Sequence, residues 1–162
     1  MSGFTSVDAT LTTGKIGQLA YGSDADLLVR SYVLEDATAV VPGRGVVYDA
    51  ANDSIKTPSA GGQKFMGVAF DDGSLAIEDA SYAVGGNVNV PVLRRGQVFV
   101  QTSEAVVPTD AVYLQHTDGG GIKLVGTFRT DNDGGNAALV DGVEWAGVFA
   151  SNKAILQVNQ PA

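Results

Sequence analysis

The stretch NVNVPVLRRGQVFVQ, residues 87–101, decides how this chain folds. Valine recurs at every second position from Val88 to Val92, and again at Val98 and Val100. A repeat of two is the period of a β-strand, in which alternate side chains point to the same face of the sheet. These valines would therefore share one buried face if the strand were continuous.

An arginine pair and a glycine interrupt the alternation. A glycine such as Gly96 within a strand marks a bulge or a bend, whereas Arg95 and Gly96 together also suit a tight hairpin turn. In both cases at least one arginine leaves the core side. Arg94 and Arg95 lie isolated in an acidic chain and have no nucleophile or base beside them, which favours a structural or subunit contact over a nucleic-acid or catalytic anion site.

The rest of the chain also favours strands over helices. Short runs of Val, Ile, Phe and Tyr are separated by Gly, Asn, Asp and Pro, and the chain has 21 glycines. The segments VVPGRGVVY (40–48), YAVGGNVNV (82–90) and AVVPTDAVY (105–113) repeat a design in which a turn is followed by a valine-rich strand. We predict an all-β fold, a compact β-barrel or sandwich of short antiparallel strands over residues 39–162.

Residues 1–38 differ from this body. Ser, Thr, Gly and Asp dominate, and single apolar residues stand apart from one another. We predict an extended N-terminal arm whose apolar side chains contact another surface, with a disordered tail as the alternative. Within it, residues 26–36 suit a short strand or a helical turn. The predicted contact residues of the arm are Phe4, Val7, Leu11, Ile16, Leu19 and Tyr21.

The composition argues against several classes of function. The chain has 10 Lys and Arg against 18 Asp and Glu, a net charge of −8, and no Lys/Arg-rich run that would neutralise phosphates. We therefore expect no binding to nucleic acid or to anionic membranes. The N-terminus does not have the pattern of a signal peptide, and no apolar run approaches the length of a membrane-spanning helix.

No group of residues predicts catalysis, a metal site or a cofactor. The chain has no cysteine, and we expect its single histidine, His116, to lie on the surface. Residues 131–136, DNDGGN, match only part of an EF-hand calcium loop, which favours an ordinary loop. The four acids of residues 71–79 are typical of a solvated turn, since acid–base chemistry would require them to converge in a cleft. We expect a protein that is not an enzyme.

Five stretches share a set of strand and turn patterns: SYVLEDATAVVPGRGVV, KFMGVAFDD, SYAVGGNVNVPVLRRGQVFVQ, AVVPTDAVYLQ and EWAGVFASNKAILQVNQ. The patterns are a Pro-Gly turn, a Gly-Val-Ala strand and a valine-rich unit that follows a turn. Together the stretches resemble the capsid cement, or decoration, proteins of tailed phages. The sequence departs from the family pattern with Gly-Asn at 86–87 and Thr-Asp at 109–110, and it has a longer loop at 117–142.

The resemblance implies a virion structural protein, made in the host cytoplasm, that lies on the outer surface of the capsid. Such proteins stabilise contacts between major capsid proteins, often as homotrimers, and an N-terminal arm commonly reaches the capsid shell. On this view Arg94 and Arg95 face carboxylates of the same trimer or of the capsid. The alternatives are another β-rich virion component, such as a tail, fibre or head-completion protein, or a carbohydrate-binding module.

Overall fold

A computed structural model describes residues 15–21, 27–34, 39–71, 88–150 and 152–161 of the chain. The elements in these ranges are strands and one short 3-10 turn at Asp133–Gly135, which confirms the all-β prediction. Among the described residues, no helix is long and apolar enough to cross a membrane. The strands are β1 (Leu19–Tyr21), β2 (Leu28–Leu34), β3 (Gly45–Asp49), β4 (Ser54–Lys56), β5 (Phe65–Ala69), β6 (Val88–Gln101), β7 (Tyr113–Gln115), β8 (Phe128–Arg129), β9 (Ala137–Leu139), β10 (Val143–Ala150) and β11 (Lys153–Asn159).

The main sheet closes on itself. Its order is β10-β11-β6-β2-β4-β3-β5, and β5 pairs back onto β6, so β6, β2, β4, β3 and β5 form a closed barrel. Strands β2 and β4 run parallel, whereas every other described pairing between strands is antiparallel. Each of these five strands has a neighbour on both sides, and the described pairing of β2 with β4 is the single pair Leu34 and Ile55. Closure of this kind reduces the unpaired strand edges that promote aggregation.

Strand β6 belongs both to the closed barrel and to the part of the main sheet outside it. Its first half pairs with β2 and β5, and its second half pairs with β11 and β1. Arg95 pairs with Leu28 of β2 and also with Asn159 of β11, so these two strands lie on opposite edges of β6. The hairpin alternative is therefore excluded, because residues 88–101 form one continuous strand.

The strand carries a bulge at the arginine pair. The register with β2 moves from Arg95 opposite Leu28 to Leu93 opposite Val29, which leaves Arg94 as the extra residue. Gly96 has φ +130°, a conformation that side chains with a Cβ rarely adopt. The bend-or-bulge interpretation of this glycine is the one that the structure shows.

The bulge moves the valines to different cores. Val90 and Val92 belong to a barrel core to which every strand of the closed ring contributes, whereas Val98 and Val100 belong to an outer core. The outer core lies between the barrel, strands β10 and β11, and the small sheet β8-β7-β9. Strict alternation predicts that these valines point to one face of β6. That prediction is wrong, because the extra residue of the bulge moves the side chains after it to the opposite face.

A second glycine bulge lies in β5. Val46 pairs with Gly67 but Val47 pairs with Phe65, and Gly67 has φ +143°. Phe65 faces the outer core and Met66 the barrel core, so β5 is buried on both faces. The bulge allows Phe65 and Val68, which are three residues apart, to face the same outer core. In the outer core Phe65 packs edge-on against Phe128 of β8, with ring centroids 6.2 Å apart. This contact attaches the small sheet, which lies within and beside the long 117–142 loop, to the barrel.

Two segments before residue 38 belong to the main sheet. Strand β2 pairs with β6 along its whole length, which supports the strand alternative for residues 28–34. Strand β1 pairs with β6 at Leu19 and Tyr21. The predicted division into residues 1–38 and 39–162 stays a prediction, but any free arm would have to lie outside these paired segments.

Candidate contact surfaces

Arg94 is buried at the β6 bulge, with only 7% of its surface exposed. Its Nη1 donates a hydrogen bond to the Tyr32 hydroxyl at 2.8 Å, and its Nη2 donates to the Pro161 carbonyl. The third nitrogen, Nε, is itself buried and has no hydrogen-bond partner among the described residues. A buried N–H without a partner is costly.

Arg95 is half-buried beside it and is held mainly through its backbone, which pairs with β2 and β11. Neither arginine forms an ion pair with a carboxylate in the described part of the chain. The expectation that both arginines face carboxylates of a second subunit or of the capsid stays a prediction.

Arg94 lies in the wall of a groove of about 460 Å³ between the barrel and the small sheet. We call this the basic groove, because the described residues that line it include three cationic side chains, Arg30, Lys64 and Arg94, and one acid, Asp141. Apolar side chains form part of the wall, including Leu139, which is 60% exposed. The groove thus combines cationic side chains with an apolar wall.

The end of the described chain forms one side of the basic groove. The Gln160 backbone N–H donates to the Arg94 carbonyl at 2.8 Å, and the Gln160 side chain donates to the Asp141 carbonyl at 2.7 Å. His116 also lines the groove; it is half-buried, and its Nδ1 lies 3.0 Å from the Thr117 hydroxyl oxygen. These hydrogen bonds hold the walls in place.

A second charged cluster is internally neutralised. The Arg129 side chain is 4% exposed and donates to Asp131 Oδ1 from Nε at 2.8 Å and from Nη2 at 2.6 Å. Asp133 accepts from Lys123 at 2.7 Å and from Gln115 at 3.1 Å. The residues DNDGGN therefore form a loop whose carboxylates are paired with cations. Among the described residues no group of acids or histidines has the arrangement of a metal site.

These contacts lower the pKa of both carboxyl groups. The hydrogen bond from Lys123, followed by that from Gln115, lowers the pKa of Asp133 to about 2. The hydrogen bonds from Arg129 lower the pKa of Asp131 as well. Hydrogen bonds and nearby positive charge stabilise the ionised form, so both groups stay charged at neutral pH. We interpret the cluster as structural.

Residues 15–21 are attached to the body of the same chain. Lys15 pairs with the buried Asp71 at 3.0 Å, the Gly17 N–H donates to the Phe99 carbonyl at 2.8 Å, and Leu19 packs against the outer core. Ile16 lies close to Gly43, since a Cβ at that glycine would meet its Cγ2. Ile16 and Leu19 are thus partly occupied by contacts within the chain.

The other predicted arm contacts are not placed. Phe4, Val7 and Leu11 lie outside the described residues, and only the backbone of Tyr21 is described. Of the acidic stretch 71–79, Asp71 alone is described. The contacts of the arm side chains and the solvated acidic turn at 71–79 both stay predictions.

Comparison with known proteins identifies the family. Residues 4–159 match the model of a phage family described as structural cement protein, whose named examples are E217 gp24 and Pam3 gp6. The chain belongs to this family. A similar solved structure is a chain from the capsid of Myoviridae Phage XM1, with a TM-score of 0.71, 20% identity and 89% of each chain covered; at that identity the likeness shows a shared fold. No curated protein matches the chain.

The cement proteins are structural components of phages, so the family assignment agrees with the resemblance seen in the sequence. What the sequence did not reveal is the basic groove. Arg30, Lys64 and Arg94 are widely spaced and share no motif, and the only hint was the arginine pair itself. Closure of the barrel is what brings them together.

Proposed function

We propose that this protein binds the outer surface of a phage head as a homotrimer and stabilises contacts between major capsid proteins. The match of residues 4–159 to the structural cement family is the observation that carries the proposal. In this view the protein is made in the host cytoplasm, becomes part of the virion and catalyses no reaction. The described residues support this role with a closed barrel and two tightly packed cores.

A cement protein needs contact area rather than a reactive centre. Specific protein interfaces bury on the order of 1,600 Å², and several linked contacts of modest strength give high overall affinity. The apolar arm residues Phe4, Val7 and Leu11 and the arginines Arg94 and Arg95 are the proposed contacts with the capsid or with other subunits. A trimer multiplies each of these contacts and needs no single strong site.

Binding to isolated capsids tests the proposal. Purified protein is added to expanded heads that lack it, and co-sedimentation and the temperature of head disruption are measured. We expect saturable binding and a higher disruption temperature, whereas an equally acidic protein of similar mass should do neither. Heads that neither bind the protein nor gain stability would contradict the proposal. Labelling confined to the neck or tail in electron micrographs would instead favour another virion component.

A further inference from the structure

We infer that the N-terminal arm of one copy of this chain adds a strand to the outer edge of β10 in a second copy. The inference names the contact within the proposed trimer and rests on that proposal. Strand β10, Val143–Ala150, pairs with β11 on one side and with no other described strand, so it is an edge of the main sheet. It carries a single charged residue, Glu144. A long edge with so little charge is suited to pairing with another chain.

The backbone of β10 presents unpaired groups at this edge. The Asn159 N–H donates to the Gly142 carbonyl at 2.8 Å, and in an antiparallel pair such bonds recur at every second residue. The N–H and C=O groups of Val143 and Trp145 therefore point away from β11, and no hydrogen bond joins these groups to another described residue. A register shift follows Trp145, so the regular part of the edge lies before it. An extended segment can satisfy these groups by strand addition.

Apolar side chains lie beside the same edge. Trp145 packs in the outer core, and its Nε1 donates to the Ala111 carbonyl at 3.4 Å, which places the 105–112 loop next to β10. In that loop Val107 is 55% exposed, and Val143 is only partly buried against the outer core. A strand added to β10 would extend the outer core if it presented an apolar face on this side.

The arm contains a stretch with the alternation that such a strand requires. In residues 7–12, VDATLT, apolar and polar residues take turns, which is the period of a strand with one buried face. The apolar side chains also match the arm contacts predicted from the sequence. In an extended conformation one face would carry Val7, Ala9 and Leu11, and the other Asp8, Thr10 and Thr12.

Charge selects the register of the added strand. Glu144 is exposed, so Asp8 directly opposite it would place two like charges together, which is unfavourable. The register with Thr10 opposite Glu144 avoids this repulsion. It also places the apolar residues Ala9 and Leu11 beside Val143 and Trp145, where the outer core ends.

The path of the chain favours a second copy as the donor of the arm. Val98 of β6 pairs with Leu19 of β1 and with Leu156 of β11, so β1 and β11 lie on opposite edges of β6. Gly17 bonds to β6 on the β1 side, four strand spacings, or about 19 Å, from a strand added to β10. Fully extended, the chain from Gly17 to Leu11 spans at most about 21 Å, which is too short to pass around a face of the sheet.

The positions of donor and acceptor determine the symmetry of the contact. The arm leaves one edge of the sheet, and the strand that receives it lies at the opposite edge. Each copy can therefore donate to one neighbour and accept from another. Such a head-to-tail contact is heterologous, and it forms a closed ring when the rotation between copies permits, as in a trimer.

Sedimentation of the full-length protein tests the role of the arm. We expect the wild type to self-associate and deletion of residues 2–14 to abolish association. Leu11→Asp should weaken association by about 10-fold or more, because the added strand would bury this leucine. Thr12→Asp is the matched control: it introduces the same charge one residue away, on the polar face, and should change association by less than about twofold.

Cysteine cross-linking tests the acceptor edge. The chain has no cysteine, so Thr10→Cys and Glu144→Cys in separate proteins each carry a single thiol. Residues directly opposite in a strand pair have Cα atoms about 4.5–5.5 Å apart, a separation that a disulfide can bridge. The two proteins are mixed and equilibrated in a glutathione buffer. We expect about tenfold more mixed disulfide than with Ala51→Cys, an exposed residue between β3 and β4, in place of Glu144→Cys.

Several results would overturn the inference. They are a wild type that is monomeric at all concentrations, full association after deletion of residues 2–14, equal weakening by Leu11→Asp and Thr12→Asp, and no excess of mixed disulfide with Glu144→Cys. Leu11→Asp protein that stays oligomeric but no longer binds heads would overturn it too, and would assign the arm to the capsid protein. If the wild type associates through its arm but does not bind heads, the inference stands and the proposed function fails.

Discussion

The Arg94 guanidinium donates a hydrogen bond to the Tyr32 hydroxyl at 2.8 Å, and so joins β6 to β2 at the bulge. The same side chain holds the Pro161 carbonyl. One arginine therefore stabilises the barrel, retains the end of the described chain and forms a wall of the basic groove. Its structural and contact roles must be separated by experiment.

The two adjacent arginines should differ in their effect on stability. Arg94→Ala should lower the free energy of unfolding by about 2–3 kcal/mol, because a buried side chain is truncated and the Tyr32 hydroxyl and the Pro161 carbonyl lose their donor. Arg95→Ala, at a half-buried side chain without an ion pair to the described residues, should cost less than about 1 kcal/mol. Urea unfolding measures both, and Tyr32→Phe isolates one of the lost hydrogen bonds. Equal costs for the two arginines would contradict the burial argument.

Gly67→Ala should be strongly destabilising. A Cβ at Gly67 would lie 2.3 Å from the Leu93 carbonyl oxygen, which is backbone and cannot rotate away. We expect a loss of about 3 kcal/mol or more, from the clash and the strained φ together. Gly62→Ala is the matched control: it also has a positive φ, +76°, but no atom lies within 4 Å of the added Cβ. Similar drops in melting temperature for both variants would contradict the prediction, because they would mean that the neighbouring backbone shifts and relieves the clash.

The paired acids predict a loss of stability in acid. The folded pKa of Asp133 is about 2, below its usual value, so its ionised form contributes stability above the unfolded pKa near 4. That contribution disappears as pH falls from about 4 towards 2. Asp133→Asn should therefore flatten the pH dependence of urea unfolding over this window. An unaltered profile in Asp133→Asn would exclude this residue as the cause.

Deletion of residues 2–14 should weaken capsid binding without lowering stability. The deletion keeps Lys15, Gly17 and Leu19, whose contacts attach the N-terminal segment to the body. Replacement of Phe4, Val7 and Leu11 by serine keeps the length of the arm and should weaken binding similarly. Co-sedimentation with heads and urea unfolding measure the two properties. Full binding by both variants would exclude the arm as a contact.

Much of the fold could be predicted from the sequence because strand patterns are local. Valine alternation identified β6, and turn residues after short apolar runs indicated an all-β body. The alternation failed where the chain contains extra residues, at Arg94 in β6 and near Gly67 in β5. A bulge depends on how two strands pair, so a periodicity within one strand cannot locate it.

The sequence by itself determined the all-β class, the negative net charge and the resemblance to cement proteins, since each depends on composition or on short-range patterns. Only the tertiary structure decided that residues 88–101 are one strand serving two cores, and that Ile16 and Leu19 pack on the chain's own body. It alone assembled the basic groove, because Arg30, Lys64 and Arg94 lie on or beside different strands that meet only when the barrel closes. The physical reason is that side-chain alternation acts over neighbouring residues, whereas strand register and closure act between segments far apart in the chain.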